Sequence, residues 1–258
     1  MKNMFLIIAM FVALPAVIYG AKGQQDFYQI KIYHLKSNDQ VDQVDQYLQN
    51  VYLPALHRLG IKNIGVFKPI ANDTAALKLI YVLVPFNSAD AWLKLEGSLL
   101  KDDAYTSSVK GFNEAAPDKA PYERVESILL EAFPGQGHLL LPPAKSPERV
   151  FELRSYESPT QHLAEKKMAM FNTGGEIDIF KRLGFNPVFY ARVLSGSRMP
   201  NFMYMPVFDN LQQKDAQWKI FGNDPQWKEI SAKPENENKA SVSHIDSIVM
   251  HSTSYSDY

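Results

Sequence analysis

The chain repeats itself. Leu56–Phe67 reads LHRLGIKNIGVF and Phe180–Phe189 reads FKRLGFNPVF, in each case a helical pattern that stops at Arg-Leu-Gly and runs into a strand. Other matches keep the same order: Tyr33 with Tyr156, Tyr81 with Tyr204, and Val125-Glu-Ser-Ile128 with Ile245-Asp-Ser-Ile248. Matches held in one order along most of a 258-residue chain point to an internal duplication.

Patterning sets the element order within each copy. Phe27–Leu35 alternates apolar and polar residues, as a strand does. Ser37 and Gln40 offer a capping box to a helix whose apolar positions Val41, Val44, Leu48, Val51, Ala55 and Leu59 recur at helical spacing, and Gly60 stops it. The strands IGVFKPI and LKLIYVLVPF are joined across Asn72 and Asp73. Helical segments run from about Ser88 to Phe112 with an interruption near Gly97, and Tyr122–Phe133 reads as a strand. The order is β-α-β-β-α-β, a ferredoxin-like unit. After the Pro- and Gly-rich stretch 134–148, the order restarts with VFELRSYE as a strand. A helix opens at Ser158-Pro159 and ends at Gly184; the strands NPVFYARVL and NFMYMPVF follow, then a helical region and the strand HIDSIVMHS. We therefore expect an α+β chain with one repeat at 24–133, a linker at 134–148 and a second repeat at 149–258. Such a unit carries helices on one face of its sheet and must cover the other. Two tandem units can do this in one chain as a barrel-like pseudo-dimer, or each half can pair with another chain to give a homodimer.

Residues 1–23 have one Lys near the start, an apolar run from Met4 to Ile18 and small residues at the end, the pattern of a secretory signal peptide cut before Gln24. The apolar run, about 15 residues, falls short of the roughly 20 that a membrane span needs. No stable membrane insertion is expected after cleavage, and the mature protein is expected to be periplasmic or extracellular. Cleavage removes Lys2 and Lys22 and takes the formal charge from −1 to −1 − 2 = −3. The 27 basic and 28 acidic residues are interspersed, without the basic stripe that neutralises phosphates, so nucleic acid is not an expected partner. The absence of cysteine rules out a lipid-bearing cysteine, a disulfide framework and a thiolate zinc site.

Phe151-Glu-Leu-Arg-Ser-Tyr156 and Asn223-Asp-Pro-Gln-Trp-Lys228 are similar to the opening E-L-R-x-Y strand and the Asp-Pro-x-Trp turn of NIPSNAP repeats. The chain resembles that family over about Phe27 to Ser252, sharply in the second half. In the first half the pattern is degenerate: the strand reads Tyr-Gln-Ile-Lys-Ile-Tyr and the turn Asp102-Asp-Ala-Tyr105. The resemblance implies the dimeric α/β-barrel superfamily, which also holds cofactor-independent monooxygenases, haem-degrading enzymes, peroxidases and isomerases. The NIPSNAP family itself has no settled activity, and shared fold does not transfer chemistry.

Of the 6 histidines, no pair shows the H-x-x-x-H spacing of a metal site, and neither metal nor cofactor is expected. No G-x-S-x-G, P-loop or dinucleotide fingerprint occurs. For an oxygenase-like site in the first half, His34, His57 and Tyr81 are the catalytic candidates. Strand alternation places Gln29, Lys31 and Tyr33 on one face, with Glu152, Arg154 and Tyr156 on the equivalent face of the second copy. If the aliphatic face packs on the helices, this polar and aromatic face lines the barrel, either as a structural layer or as the floor of a small-ligand site. Gly174-Gly175 interrupts a long helical pattern, Thr173 and Glu176 could cap the restart, and the missing side chains leave room for a pocket wall. Tyr33, Glu152, Arg154, Tyr156, Gly174 and Gly175 are thus the ligand-binding candidates, with a small apolar or aromatic molecule as the ligand. Asp224, Pro225 and Trp227 read as a helix cap, a helix start and a packing anchor.

Overall fold

The computed structural model describes residues 24–142, 145–236 and 238–258; the expected signal peptide lies outside them. The first half runs β1 (Phe27–Leu35), α1 (Asn38–Tyr47), a π-helical turn at Leu48–Tyr52, α2 (Leu53–Arg58), β2 (Gly65–Pro69), β3 (Lys78–Phe86), α3 (Ala89–Leu99), α4 (Asp103–Ser108), α5 (Lys110–Asn113) and β4 (Arg124–Ala132). The second runs β5 (Val150–Glu157), α6 (Gln161–Asn172), α7 (Glu176–Arg182), β6 (Asn186–Ser195), β7 (Asn201–Phe208), α8 (Leu211–Asn223), α9 (Pro225–Ser231), α10 (Asn238–Ser241) and β8 (His244–Ser252).

Local chemistry sets most boundaries. The Gln40 N–H donates to Ser37 Oγ while Gln40 Oε1 accepts from the Lys36 N–H, so the start of α1 is tied from both sides. Gly60 and Gly184 take φ of 81° and 78° at the two matching helix stops, a region that suits glycine. Asp224 caps α9 with Pro225 in its first turn, and the Trp227 ring packs 4.4 Å from Phe221. Three expectations shift. The α6 helix opens after Thr160, whose hydroxyl accepts from the Leu163 N–H, and not at Ser158. Gly97 sits inside an unbroken α3. At the α6–α7 break the cap is Gly175, with φ of 93°; Thr173 Oγ1 instead donates to the Ala169 carbonyl and Glu176 turns inward, so no capping box forms.

All eight strands pair antiparallel into a closed barrel in the order β1-β3-β2-β8-β5-β7-β6-β4. Read around the barrel, β4-β1-β3-β2 is followed by β8-β5-β7-β6, the same internal order in each half. The halves join through β2 with β8 and β4 with β6, so backbone pairing leaves no free sheet edge.

The faces are the reverse of the arrangement expected from the strands. Ile30 of β1 and Leu153 of β5 point into the barrel, together with Leu83, Leu130, Phe151 and Met205. Tyr33 and Tyr156 point outward beneath the helices, and Glu152 and Arg154 share that outer face. The physical reason lies in closure: an eight-strand barrel has an interior just wide enough for side chains to fill, and that dry space takes the aliphatic residues. Around it, the helices bury a wider outer face that can accommodate aromatic rings and long polar chains, provided each polar group finds a partner.

Barrel closure also separates two residues that the repeat aligned. Tyr81 faces the interior whereas Tyr204 lies in the helix layer, because a one-residue offset along a strand exchanges faces. One end of the barrel is packed by aromatic rings, with Tyr258 at centroid distances of 5.5 Å from Phe67 and 5.9 Å from Phe151. The other end is open.

Candidate functional site: a cavity at the open end of the barrel

The open end holds a cavity of about 360 Å³. Its apolar wall is made by inward-facing strand positions, among them Ile32, Leu79, Ile128, Leu153, Met203 and Ile248. Both halves contribute at matching places: Glu126 and Ile128 of β4 correspond to Asp246 and Ile248 of β8, since Tyr33 pairs with Val125 and Tyr156 with Ile245. The cavity therefore lies where the two halves meet around the barrel.

Its polar rim is a set of ion pairs. His34 Nε2 lies 2.8 Å from Glu126 Oε1, and Arg124 Nη1 lies 2.6 Å from the same oxygen. Across the mouth, Asp246 pairs with Arg198 and lies 2.9 Å from His244 Nε2, and Arg198 reaches Glu157 at 3.4 Å. Burial works against ionisation of both acids. At Glu126 this is outweighed by Arg124 and then His34, and at Asp246 by His244 and Arg198, so both carboxyls stay below the usual range. Glu157, His244 and Asp246 bring three ligand-type atoms within 4.8 Å of one another; the Arg198 guanidinium supplies the positive charge there.

Tyr81 stands in the cavity wall, 3% exposed. Among the described residues nothing hydrogen-bonds its hydroxyl. Burial, then Glu126 and Asp246, push its pKa far up, against a smaller opposing effect of Arg198. The phenol stays protonated and is a donor without an acceptor.

Of the expected catalytic trio, the structure brings His34 and Tyr81 to this cavity and leaves His57 elsewhere. His57 is a surface residue, its Nε2 3.0 Å from Asp257 Oδ2. The six ligand-binding candidates lie outside the cavity. Tyr33 packs edge-on to Tyr122 at 5.7 Å beneath the first set of helices.

Glu152, Arg154 and Tyr156 form a closed polar network beneath the second set. Glu152 accepts from Arg154 Nη1 at 2.5 Å, Trp218 Nε1 at 2.6 Å and Ser247 Oγ at 2.6 Å, and Arg154 Nη2 donates to the Tyr156 hydroxyl at 3.0 Å. The first half keeps an equivalent link, Gln29 Nε2 to Ser127 Oγ at 2.7 Å. Near this network Glu176 and Lys167 are each 3% exposed, and Glu176 Oε2 has no hydrogen-bond partner among the described residues. Burial pushes the Glu176 carboxyl up to about 8, opposed by Lys167 and Arg154. Gly174 and Gly175 form the α6–α7 break beside this layer: a Cβ on Gly174 would sit 2.5 Å from the Met170 carbonyl oxygen. They serve helix packing here and line no part of the cavity.

The residues that sequence reasoning missed are Glu126, Asp246, Arg124 and Arg198. A signal for two of them existed: Val-Glu-Ser-Ile and Ile-Asp-Ser-Ile carry an acid at the same place in both copies, but the match reads as evidence of duplication until closure brings both acids to one rim.

Residues 151–257, in the second half of the chain, match the NIPSNAP family model. No curated protein sequence matches the chain. Among solved structures, a monooxygenase candidate from Lactobacillus acidophilus NCFM is similar with a TM-score of 0.57 at 15% identity, over 88% of this chain and 94% of that one. A second monooxygenase candidate, from Fusobacterium nucleatum, gives 0.58 at 6% identity over 89% and 93%. An anthrone oxidase-like protein gives 0.54 at 8% identity over 90% and 93%. At such identities the likeness concerns the fold, a mixed α+β structure around an eight-strand antiparallel barrel.

Proposed function

We propose that this is a secreted or periplasmic protein built from two tandem NIPSNAP-type ferredoxin-like repeats, and that it binds a small apolar or aromatic molecule in the barrel-end cavity. The observation that carries the binding reading is the cavity itself: about 360 Å³ of mainly apolar space, inside the size range of small-molecule sites, with polar groups gathered at one end. The duplication is supported by the shared strand order and by matching contacts, Arg58 with Asp102 and Arg182 with Asp224, Gln29 with Ser127 and Glu152 with Ser247. Secretion is supported by the pattern of residues 1–23. A monomeric pseudo-dimer, as against a homodimer, is supported by a barrel whose eight strands all come from one chain.

A thermal-shift screen of neutral aromatic compounds on residues 24–258 tests the binding reading, with Leu79→Trp as the control because it fills the mouth. Hits that raise Tm for the wild type and not for Leu79→Trp support the site; hits indifferent to Leu79→Trp place binding elsewhere. Light scattering that finds only higher oligomers contradicts the monomer.

A second reading, a cofactor-independent monooxygenase, is favoured by one observation: His34 and Tyr81 meet at the same cavity. The oxygenase descriptions of the neighbours point the same way. Protein-dependent dioxygen uptake with an anthrone, abolished in His34→Ala, would support it, and uptake equal to that of buffer would remove it.

A further inference from the structure

We infer that the cavity selects uncharged molecules carrying a carbonyl or similar hydrogen-bond acceptor on a compact apolar body, and that Tyr81 is the residue that binds the acceptor. This rests on the reading of the cavity as a ligand site.

Most polar groups around the cavity have partners within the protein. Ser155 and Asn201 satisfy each other, Asn201 Nδ2 donating to Ser155 Oγ at 2.9 Å, while Asn201 Oδ1 accepts from the Tyr156 N–H at 3.2 Å. Glu126 is held by Arg124 and His34, and Asp246 by Arg198 and His244. His34 Nδ1 has no hydrogen-bond partner among the described residues and Nε2 makes only its 2.8 Å ion-pair contact with Glu126, but both nitrogens are enclosed in the wall. Tyr81 differs from these: the residue is only 3% exposed, its hydroxyl is open to the cavity space, and the O–H has no acceptor among the described residues. A donor that opens on the cavity without a protein acceptor is free to bond a ligand that supplies one. The apolar wall can only select for size and shape, so orientation falls to Tyr81.

Charge narrows the class further. The groups that act electrostatically on the Tyr81 hydroxyl are Glu126 and Asp246, with Arg198 opposing them more weakly. The local field is therefore negative on balance. It keeps the phenol protonated and repels a carboxylate, phosphate or phenolate that approached the donor. A cationic group has no acceptor to offer the O–H, and both acids already have cationic partners. What remains is a neutral acceptor: a ketone, lactone, quinone or similar group on a one- or two-ring body.

The test uses the chain from residue 24 onward and four probes of similar size: 1-tetralone, tetralin, 1-naphthoate and 1-naphthylmethylamine. Their affinities are measured by ligand-observed NMR for the wild type and for Tyr81→Phe, which keeps the ring and removes only the hydroxyl. The wild type should bind 1-tetralone about tenfold more tightly than tetralin, the worth of one net hydrogen bond. In Tyr81→Phe that ratio should fall to near one with tetralin unchanged. Glu126→Gln and Asp246→Asn should each tighten 1-naphthoate relative to 1-tetralone, which keeps the test open if Tyr81→Phe fails to fold. Tetralin bound with no gain from the ketone, 1-naphthoate preferred over the ketone, or a ratio indifferent to Tyr81→Phe would overturn the inference while leaving the cavity as a site. Failure of tetralin and 1-tetralone alike would remove the cavity reading as well.

Discussion

Arg182 Nη2 lies 2.9 Å from both carboxylate oxygens of Asp224, and Arg58 makes the corresponding contact with Asp102 at 2.8 Å in the other half. Each arginine precedes a left-handed glycine by two residues, and each aspartate caps the N-terminus of a later helix, α4 or α9. One residue thus closes a helix end while its partner opens another, and the pair ties the two helical stretches of a half together over its sheet.

Replacing Asp224 with Ala removes both the cap and the arginine contact, whereas Arg182→Ala removes the contact alone. Asp224→Ala should therefore lower Tm by more than Arg182→Ala, with the same ranking for Asp102 against Arg58. Both carboxyls are held below the usual range, Asp102 chiefly by its hydrogen bond from Arg58 and Asp224 chiefly by the Trp227 N–H. Their stabilising contribution is present above a pH of roughly 4 and is lost as pH falls through the depressed values. The loss at low pH should shrink in each Asp→Ala variant when Tm is followed against pH.

Arg154→Ala should destabilise the fold by about 3 kcal/mol in urea unfolding, the cost of leaving a buried carboxylate without its cation. Glu152 keeps Trp218 and Ser247 but, among the described residues, no second ion-pair partner. Glu152→Gln combined with Arg154→Met should recover part of the loss. An unchanged unfolding midpoint for Arg154→Ala would show that the network contributes nothing.

Glu176 gives a pH dependence of opposite sign to the capping aspartates. Its folded pKa of about 8 lies above the ordinary carboxyl value, so the folded state holds its proton more tightly than the unfolded chain does. That contribution is full below a pH of roughly 4.5 and is lost as pH rises through 8, with a slope of at most about 1.4 kcal/mol per pH unit. Lys167 acts in a higher window: burial lowers its pKa, so stability returns as pH rises toward the lysine's ordinary value. Glu176→Gln should flatten the profile between pH 5 and about 8.

At the α6–α7 break, Gly175→Ala should cost about 1 kcal/mol, because φ of 93° disfavours any Cβ. Gly174→Ala should cost more, since its Cβ would meet the Met170 backbone. Ligand affinity at the cavity should be unaffected in both, which separates a packing role from a binding one.

The sequence makes the element order and the glycine stops legible because these are local: a helix ends at Gly60 and Gly184 for reasons contained within a few residues. Which face of β1 turns inward is not local. Alternation separates Ile30 and Ile32 from Lys31 and Tyr33, but only closure of all eight strands decides that the aliphatic set fills the barrel. The candidate site follows that decision. Tyr81 and His34 reached the cavity because their positions happen to face inward, while Glu152, Arg154 and Tyr156 went to the helix layer. Arg198 lies on the β6–β7 connection and joins the rim only through the long-range pairing that brings it to Asp246.

The central claim, that ligand enters the barrel end, is tested most directly by methyl NMR during titration with 1-tetralone. The methyl groups of Ile32, Ile128, Met203 and Ile248 line the cavity, whereas those of Met170 and Ile179 report on the helix layer of the second half. Saturable shifts are expected in the first set with the second set unmoved. Shifts confined to Met170 and Ile179, or none in either set, would contradict it.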